Sequence, residues 1–128
     1  MDRLSRLERA VIEKLLAEDH HALRVLRAQL RHAQVSGRTL TGSGFVTELS
    51  LPAGTAPAPI GSGMIRLGDV GAKIDGLRHG AGFLLYVRDG LLDALEGYSY
   101  DEPWPKKVGR FTVHFTKEGP RDLSMLRR

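Results

Sequence analysis

The ten residues Glu96-Gly97-Tyr98-Ser99-Tyr100-Asp101-Glu102-Pro103-Trp104-Pro105 hold the densest chemistry in this chain. Two tyrosines, one tryptophan and three carboxylates share them. Aromatic side chains anchor contacts, and carboxylates around them accept hydrogen bonds from a basic partner. The stretch therefore reads as a recognition patch, with Asp93 and Tyr86 joining it from the neighbouring strand positions. The plainer reading is a strand end and a proline-fixed turn, with Trp104 as a lid on the core. A patch of this sign repels phosphate, which counts against nucleic acid here.

Acid–base chemistry needs paired carboxylates, or a carboxylate beside a histidine. Asp69, Asp75, His79 and Glu96 are the candidates, and they would have to meet in one cleft to make a small enzyme or a ligand-binding domain. Glu96 stands out, because the strand pattern aims it at an apolar face. A sheet-end position, an outward reach or an arginine partner competes with a catalytic role there. His20 and His21 are adjacent, so on a helix they point about 100° apart, unlike an i, i+4 metal pair. His32, His79 and His114 are far apart in sequence, so neither a metal site nor a cofactor is expected. Ser43 and Ser62 each lie in Gly-Ser-Gly without the Gly-x-Ser-x-Gly elbow of a nucleophile. Gly42-Ser43-Gly44 marks a bulge or tight bend rather than a phosphate loop. No catalytic set emerges.

The element that positions these residues is a β-hairpin centred on Asp89-Gly90, a favoured pair for a two-residue type I′ turn. A regular register sets Arg88 opposite Leu91, Val87 opposite Leu92, Leu85 opposite Ala94 and Phe83 opposite Glu96. One face then carries Phe83, Leu85, Val87, Leu92, Ala94 and Tyr98, and suits a core. The other carries Leu84, Tyr86, Arg88, Leu91, Asp93 and Leu95, and suits a partly wet binding face.

Upstream, Leu4, Leu7, Val11, Ile12, Leu15 and Leu16 recur at helical spacing, with Asp2 as N-cap and Glu8, Glu13 and Lys14 on the wet side. Asp19 caps a second helix that runs to about Ala33, with Leu23, Leu26 and Leu30 inward. Arg24, Arg27 and Arg31 form a basic stripe on it, read as a solvated face or, alternatively, as a nucleic-acid contact. Ser36-Gly37 closes the helical region. Phe45, Thr47, Leu49 and Leu51 alternate with Val46, Glu48 and Ser50 as a strand. The Pro/Ala/Gly-rich run from Pro52 to Gly63 is a loop. Met64–Leu67, Ala72–Leu77 and Phe111–Phe115 supply further strands, with Gly68-Asp69 as a turn.

These elements predict one α+β domain: a helical segment over 1–35, a sheet over 39–116 and a basic, flexible tail over 117–128. An N-terminal helical pair packs on one face of a five- or six-stranded, mostly antiparallel sheet. With 128 residues the chain supports a single core. No apolar run approaches the roughly 20 residues that span a bilayer, and the charged start is unlike a secretory signal. The absence of cysteine removes disulfides and thiol chemistry and fits the cytoplasm, the expected location. The net charge of +4 is unevenly spread. Residues 106–128 carry seven basic and two acidic groups, whereas residues 89–105 carry five acidic groups and no Lys or Arg. Residues 106–128 alone account for the basic surplus, so nucleic acid is not the favoured partner.

The run GDVGAKIDGLRHGAGFLLYVRDGLLDALEGYSYDEPWP resembles a widespread family of small bacterial proteins, mostly uncharacterised. Its members share a Gly-Phe-Leu-Leu strand, an Asp-Gly turn and a Leu-Glu-Gly-Tyr-x-Tyr…Trp-Pro ending. The opening ERAVIEKLLAEDHHALRVLRAQLRHAQV is similar to their helical start, and Gly42-Ser43-Gly44-Phe45 to their first strand. Some members resemble immunity proteins of contact-dependent or polymorphic toxin systems. The resemblance implies a non-catalytic protein that binds a toxin domain encoded nearby. The motif residues Gly82, Phe83, Leu85, Asp89, Gly90, Leu95 and Trp104 look structural, so no binding residue carries over. The basic total departs from the acidic balance expected of nuclease inhibitors.

Overall fold

The structure is a computed structural model and describes residues 3–126. Two separate helices, α1 (Arg6–Leu15) and α2 (His21–Leu30), precede the sheet. Ser5 caps α1 in a capping box with Glu8, each side chain bonding the other's backbone N–H. Asp2, the expected cap, lies outside the described residues. His20, not Asp19, caps α2: its Nδ1 accepts from the Ala22 N–H at 3.1 Å. Asp19 instead pairs with Arg24. Arg27 donates to the carbonyls of Leu16 and Glu18. Two of the three stripe arginines thus fasten the link between the helices, and Arg31 stays exposed.

Helix α2 stops at Leu30 because a strand begins at Gln34, earlier than the helical reading allowed. The seven strands are β1 (Gln34–Leu40), β2 (Gly44–Ser50), β3 (Met64–Leu67), β4 (Val70–Ile74), β5 (Ala81–Arg88), β6 (Leu91–Ser99) and β7 (Phe111–Phe115). Their order is β1-β2-β6-β5-β4-β7, with β3 also on β5, and all pairs are antiparallel. Ser36-Gly37, expected to end a helix, lies inside β1 at a register shift. Strands β3 and β4 share one flank of β5: β3 pairs with Leu85–Arg88 and β4 with Ala81 and Gly82. Gly68-Asp69 separates them, so β4 starts at Val70 rather than Ala72.

The Asp89-Gly90 hairpin forms the centre of the sheet, with φ of 52° and 79° at the turn as type I′ requires. Its register departs from the regular one after the first two pairs. Val87 faces Leu92, but Tyr86 faces Ala94, leaving Asp93 as the extra residue of a bulge. Leu85 therefore meets Leu95 and Phe83 meets Gly97. Leu95 turns inward, and Ala94, Glu96 and Tyr98 turn outward, the reverse of the regular assignment. Phe83, Leu85, Val87 and Leu95 are fully buried. Against this face pack α1, over β4, β5 and β7, and α2, over β6.

Buried polar side chains sew the layers together. Gln29 of α2 donates Nε2 to the carbonyls of Ala56 and Gly90 and accepts from the Leu92 N–H at 3.0 Å. It joins the helix, the Pro/Ala/Gly loop and the hairpin tip. Gln29→Ala is expected to lower unfolding free energy by about 2 kcal/mol, because it orphans buried backbone groups. Urea denaturation checks this.

Within the segment after Lys117, read as a basic tail whose Leu123, Met125 and Leu126 could dock, residues 121–126 lie against the body. Arg121 forks onto Asp69 at 2.8 and 2.9 Å and donates to the Leu15 carbonyl. Its guanidinium also stacks 4.7 Å from the Phe115 ring centroid. A short 3₁₀ turn, Ser124–Leu126, buries Leu126.

Candidate functional site

Strand alternation gives the sheet a second face, turned away from both helices. Tyr86 and Leu84 of β5, Ala94, Glu96 and Tyr98 of β6, and Val46 and Glu48 of β2 stand on it in register. Arg66 of β3 sits opposite Tyr86, and Met64 opposite Arg88. The central side chains are partly exposed, and Glu48, Arg66 and Arg88 are exposed around them. Among the described residues no helix packs across this face.

The face is built around tyrosines. Tyr86 donates its hydroxyl to the Glu96 carboxylate at 2.7 Å. That bond, with burial adding to it, raises the Tyr86 pKa. Tyr98 and Tyr100 pack edge to face, with centroids 5.7 Å apart and planes at 83°. They lie directly over Gly82: a Cβ there would come within 2.6 Å of Tyr98 and 2.8 Å of the Tyr100 hydroxyl. Burial first, and then the neighbouring Tyr100, pushes the Tyr98 phenol up. Both raised phenols remain protonated donors at neutral pH.

Of the residues singled out in the sequence, the structure thus brings together Tyr86, Glu96, Tyr98 and Tyr100. The others go elsewhere. Asp93 occupies the bulge. Asp101 is exposed at a positive φ of 60°. Glu102 accepts the backbone N–H groups of Arg78 and His79 at 2.9 and 3.0 Å, and these bonds hold its carboxyl below the usual range. Trp104 meets the Phe45 ring edge-on at 5.3 Å, and its backbone N–H bonds the Gly42 carbonyl. Ser99 donates its hydroxyl to the Glu102 carbonyl. Residues 99–104 are therefore a turn stitched to β2 and to the 78–79 turn, with Trp104 over one end of the core.

The alternative catalytic set does not converge. Asp69 is held by Arg121, and Glu96 by Tyr86. Asp75 and His79 line an open groove that neither Asp69 nor Glu96 reaches. Among the described residues no three His, Asp or Glu side chains gather as a metal site. No helix among them is long and apolar enough to cross a membrane. Glu48 and Arg66 were not singled out in the sequence, although the alternation of β2 placed Glu48 opposite to Phe45, Thr47 and Leu49.

These features define an α+β protein with two helices on one face of a seven-stranded antiparallel sheet and a tyrosine-centred face opposite. No family model, curated protein or solved structure matches the chain.

Proposed function

We propose that this chain is a non-catalytic protein-binding domain, and most concretely an immunity protein that neutralises a cognate bacterial toxin domain encoded nearby. One observation carries the reading: the sheet face opposite the helices presents Tyr86, Tyr98 and Tyr100 around Glu96. Tyrosines fixed by packing lose little entropy on binding and supply both apolar area and hydroxyl donors. The rigid sheet beneath keeps their spacing, so the face is pre-organised for docking. The dispersal of Asp69, Asp75, His79 and Glu96 favours binding over turnover. The chain acts in the cytoplasm on this reading, by covering the toxin's working surface.

The test pairs the protein with the product of the adjacent gene. Co-purification and rescue of growth on toxin expression are expected. Tyr98→Ala should weaken the complex by tenfold or more, about 1.4 kcal/mol or above. Tyr86→Phe, which keeps the ring and loses only the hydroxyl, should cost less. Absence of both complex and rescue removes the reading.

A further inference from the structure

At the β4–β7 end of the same face, a groove of about 1300 Å³ runs between the 74–80 turn and the 108–112 segment. Its lining mixes apolar residues, among them Ala72, Ile74, Leu77, Val108 and Phe111, with side chains that donate hydrogen bonds. Lys73, Arg78 and Arg110 line it, with Arg6 of α1 at its helical edge, and Asp75 is the one carboxylate among the lining residues described. All four cations are exposed, and none forms an ion pair among the described residues. Thr112, His114 and Tyr100 complete the wall. Four cations outnumber Asp75 and the Glu102 carboxylate on the 78–79 turn, so the concavity keeps a positive potential that attracts anions.

A positive groove suits phosphate or carboxylate, and two features decide between them. The 78–79 turn offers paired backbone N–H groups, the nest a phosphate would use. Glu102 of the chain itself already fills it. What remains are side-chain cations on separate elements, Arg6 on α1, Lys73 on β4, Arg78 in the turn after β4 and Arg110 before β7, which match spaced carboxylates rather than one compact anion. Nucleic acid would also need an open aromatic face for stacking. Phe111 packs against the core, which leaves Tyr100 as the one exposed tyrosine or phenylalanine ring among the lining residues described, too little for a track of stacked bases.

We propose that this groove receives an extended, acidic peptide segment, held by Lys73, Arg78 and Arg110. The proposal rests on the reading of this face as a docking surface, and it specifies the partner's chemistry at one end. The partner presents a run of Asp or Glu beside the surface that meets the tyrosines.

A fluorescein-labelled hexaglutamate peptide provides the probe, with anisotropy measured at 50 and 300 mM NaCl. Binding is expected at the lower salt and is expected to weaken at the higher, as screening requires. Lys73→Glu/Arg110→Glu should reduce affinity at least tenfold. Arg9→Glu/Arg31→Glu changes net charge equally on the helical side and should alter it less than twofold. Circular dichroism confirms that both variants are folded. No peptide binding, or an equal loss in both variants, overturns the proposal. Stronger binding of pyrophosphate or oligo(dT) than of the peptide also overturns it, in favour of a phosphate ligand. If the adjacent-gene product binds and growth is rescued while the peptide fails, only the groove inference falls. Peptide binding without that complex keeps the groove and removes the toxin.

Discussion

Gly44→Ala should destabilise the protein by about 3 kcal/mol or more, the upper range for overpacking, although it adds one methyl group. A Cβ at this position would lie 1.9 Å from the Gly97 carbonyl oxygen and 2.9 Å from the Tyr98 Cα. Both obstacles are backbone, so no rotamer change can relieve the clash. Gly44 faces Tyr98 in the β2–β6 ladder, and that ladder joins the outer pair β1–β2 to the central hairpin. Relief requires the two strands to part at this end, which also displaces Tyr98. Gly109→Ala is the control. Nothing lies within 4 Å of its Cβ and its φ is ordinary, so it should stay within about 0.5 kcal/mol of the parent. Chemical denaturation reads both. If Gly44→Ala were as stable as Gly109→Ala, the close β2–β6 approach would be wrong. In partner binding, Gly44→Ala should also weaken the complex, through Tyr98 rather than through any contact of its own.

That coupling of backbone to face shows where the sequence was readable. Asp89-Gly90 announces its turn because only a few residue pairs tolerate positive φ twice in succession. Phe45, Thr47 and Leu49 announce the buried side of β2 by alternation, and all three are buried. Leu7, Val11, Leu15, Leu23 and Leu26 announce the inner sides of the helices, and they are buried too. Beyond the turn, the hairpin misleads. A bulge inserts one residue without a distinctive composition, and each position past it changes face. Asp93 is that residue. Its insertion carries Glu96 and Tyr98 out of the core and onto the sheet's open side, which turns a misplaced carboxylate into the partner of Tyr86. The candidate site was therefore legible as a set of residue types, but not as a surface. The helix caps show a similar limit. Asp19 and His20 are both competent acceptors, and the choice between them follows from where Arg24 draws the aspartate. Gln29 and Arg121 were silent, because their partners lie 27 to 63 and 52 to 106 residues away in the chain. Local pattern carries no trace of a contact made across such distances.

Glu8 is the extreme case, and it yields the second large effect. Helical spacing put it on the wet side of α1, yet it is only 2% exposed. Arg38 of β1 donates to both its carboxylate oxygens, at 2.6 and 2.9 Å. The Thr47 hydroxyl and the Ser5 N–H donate to it as well. Thr47 is itself completely buried. Glu8 therefore ties α1 to two strands of the sheet. Glu8→Ala removes the acceptor for the Thr47 hydroxyl, half of the capping box and the counter-charge of Arg38. A loss of about 3 kcal/mol is expected, at the low end for breaking a buried pair, because the Arg38 side chain is one-third exposed and water can reach it. Glu8→Gln keeps the shape and an acceptor, and should lose less.

Acidity provides an independent reading of the same group. Burial pushes the Glu8 carboxyl up, but the bonds from Arg38, Thr47 and Ser5 together outweigh it and hold the pKa below the ordinary value of 4.5. A depressed carboxylate stabilises the fold fully above its unfolded pKa, and that contribution is lost as pH falls through the folded one. Stability of the parent should therefore drop as pH is taken from about 5 downward, past the ordinary carboxyl range. Glu8→Gln should remove this group's share of that slope, so the difference between parent and variant should narrow with acid. Denaturant midpoints of both proteins at pH 7, 5, 4 and 3 would show it. A gap that stays constant across the series would mean that Glu8 is not held as a buried, ionised acceptor, and that α1 is fastened to the sheet by its leucines alone.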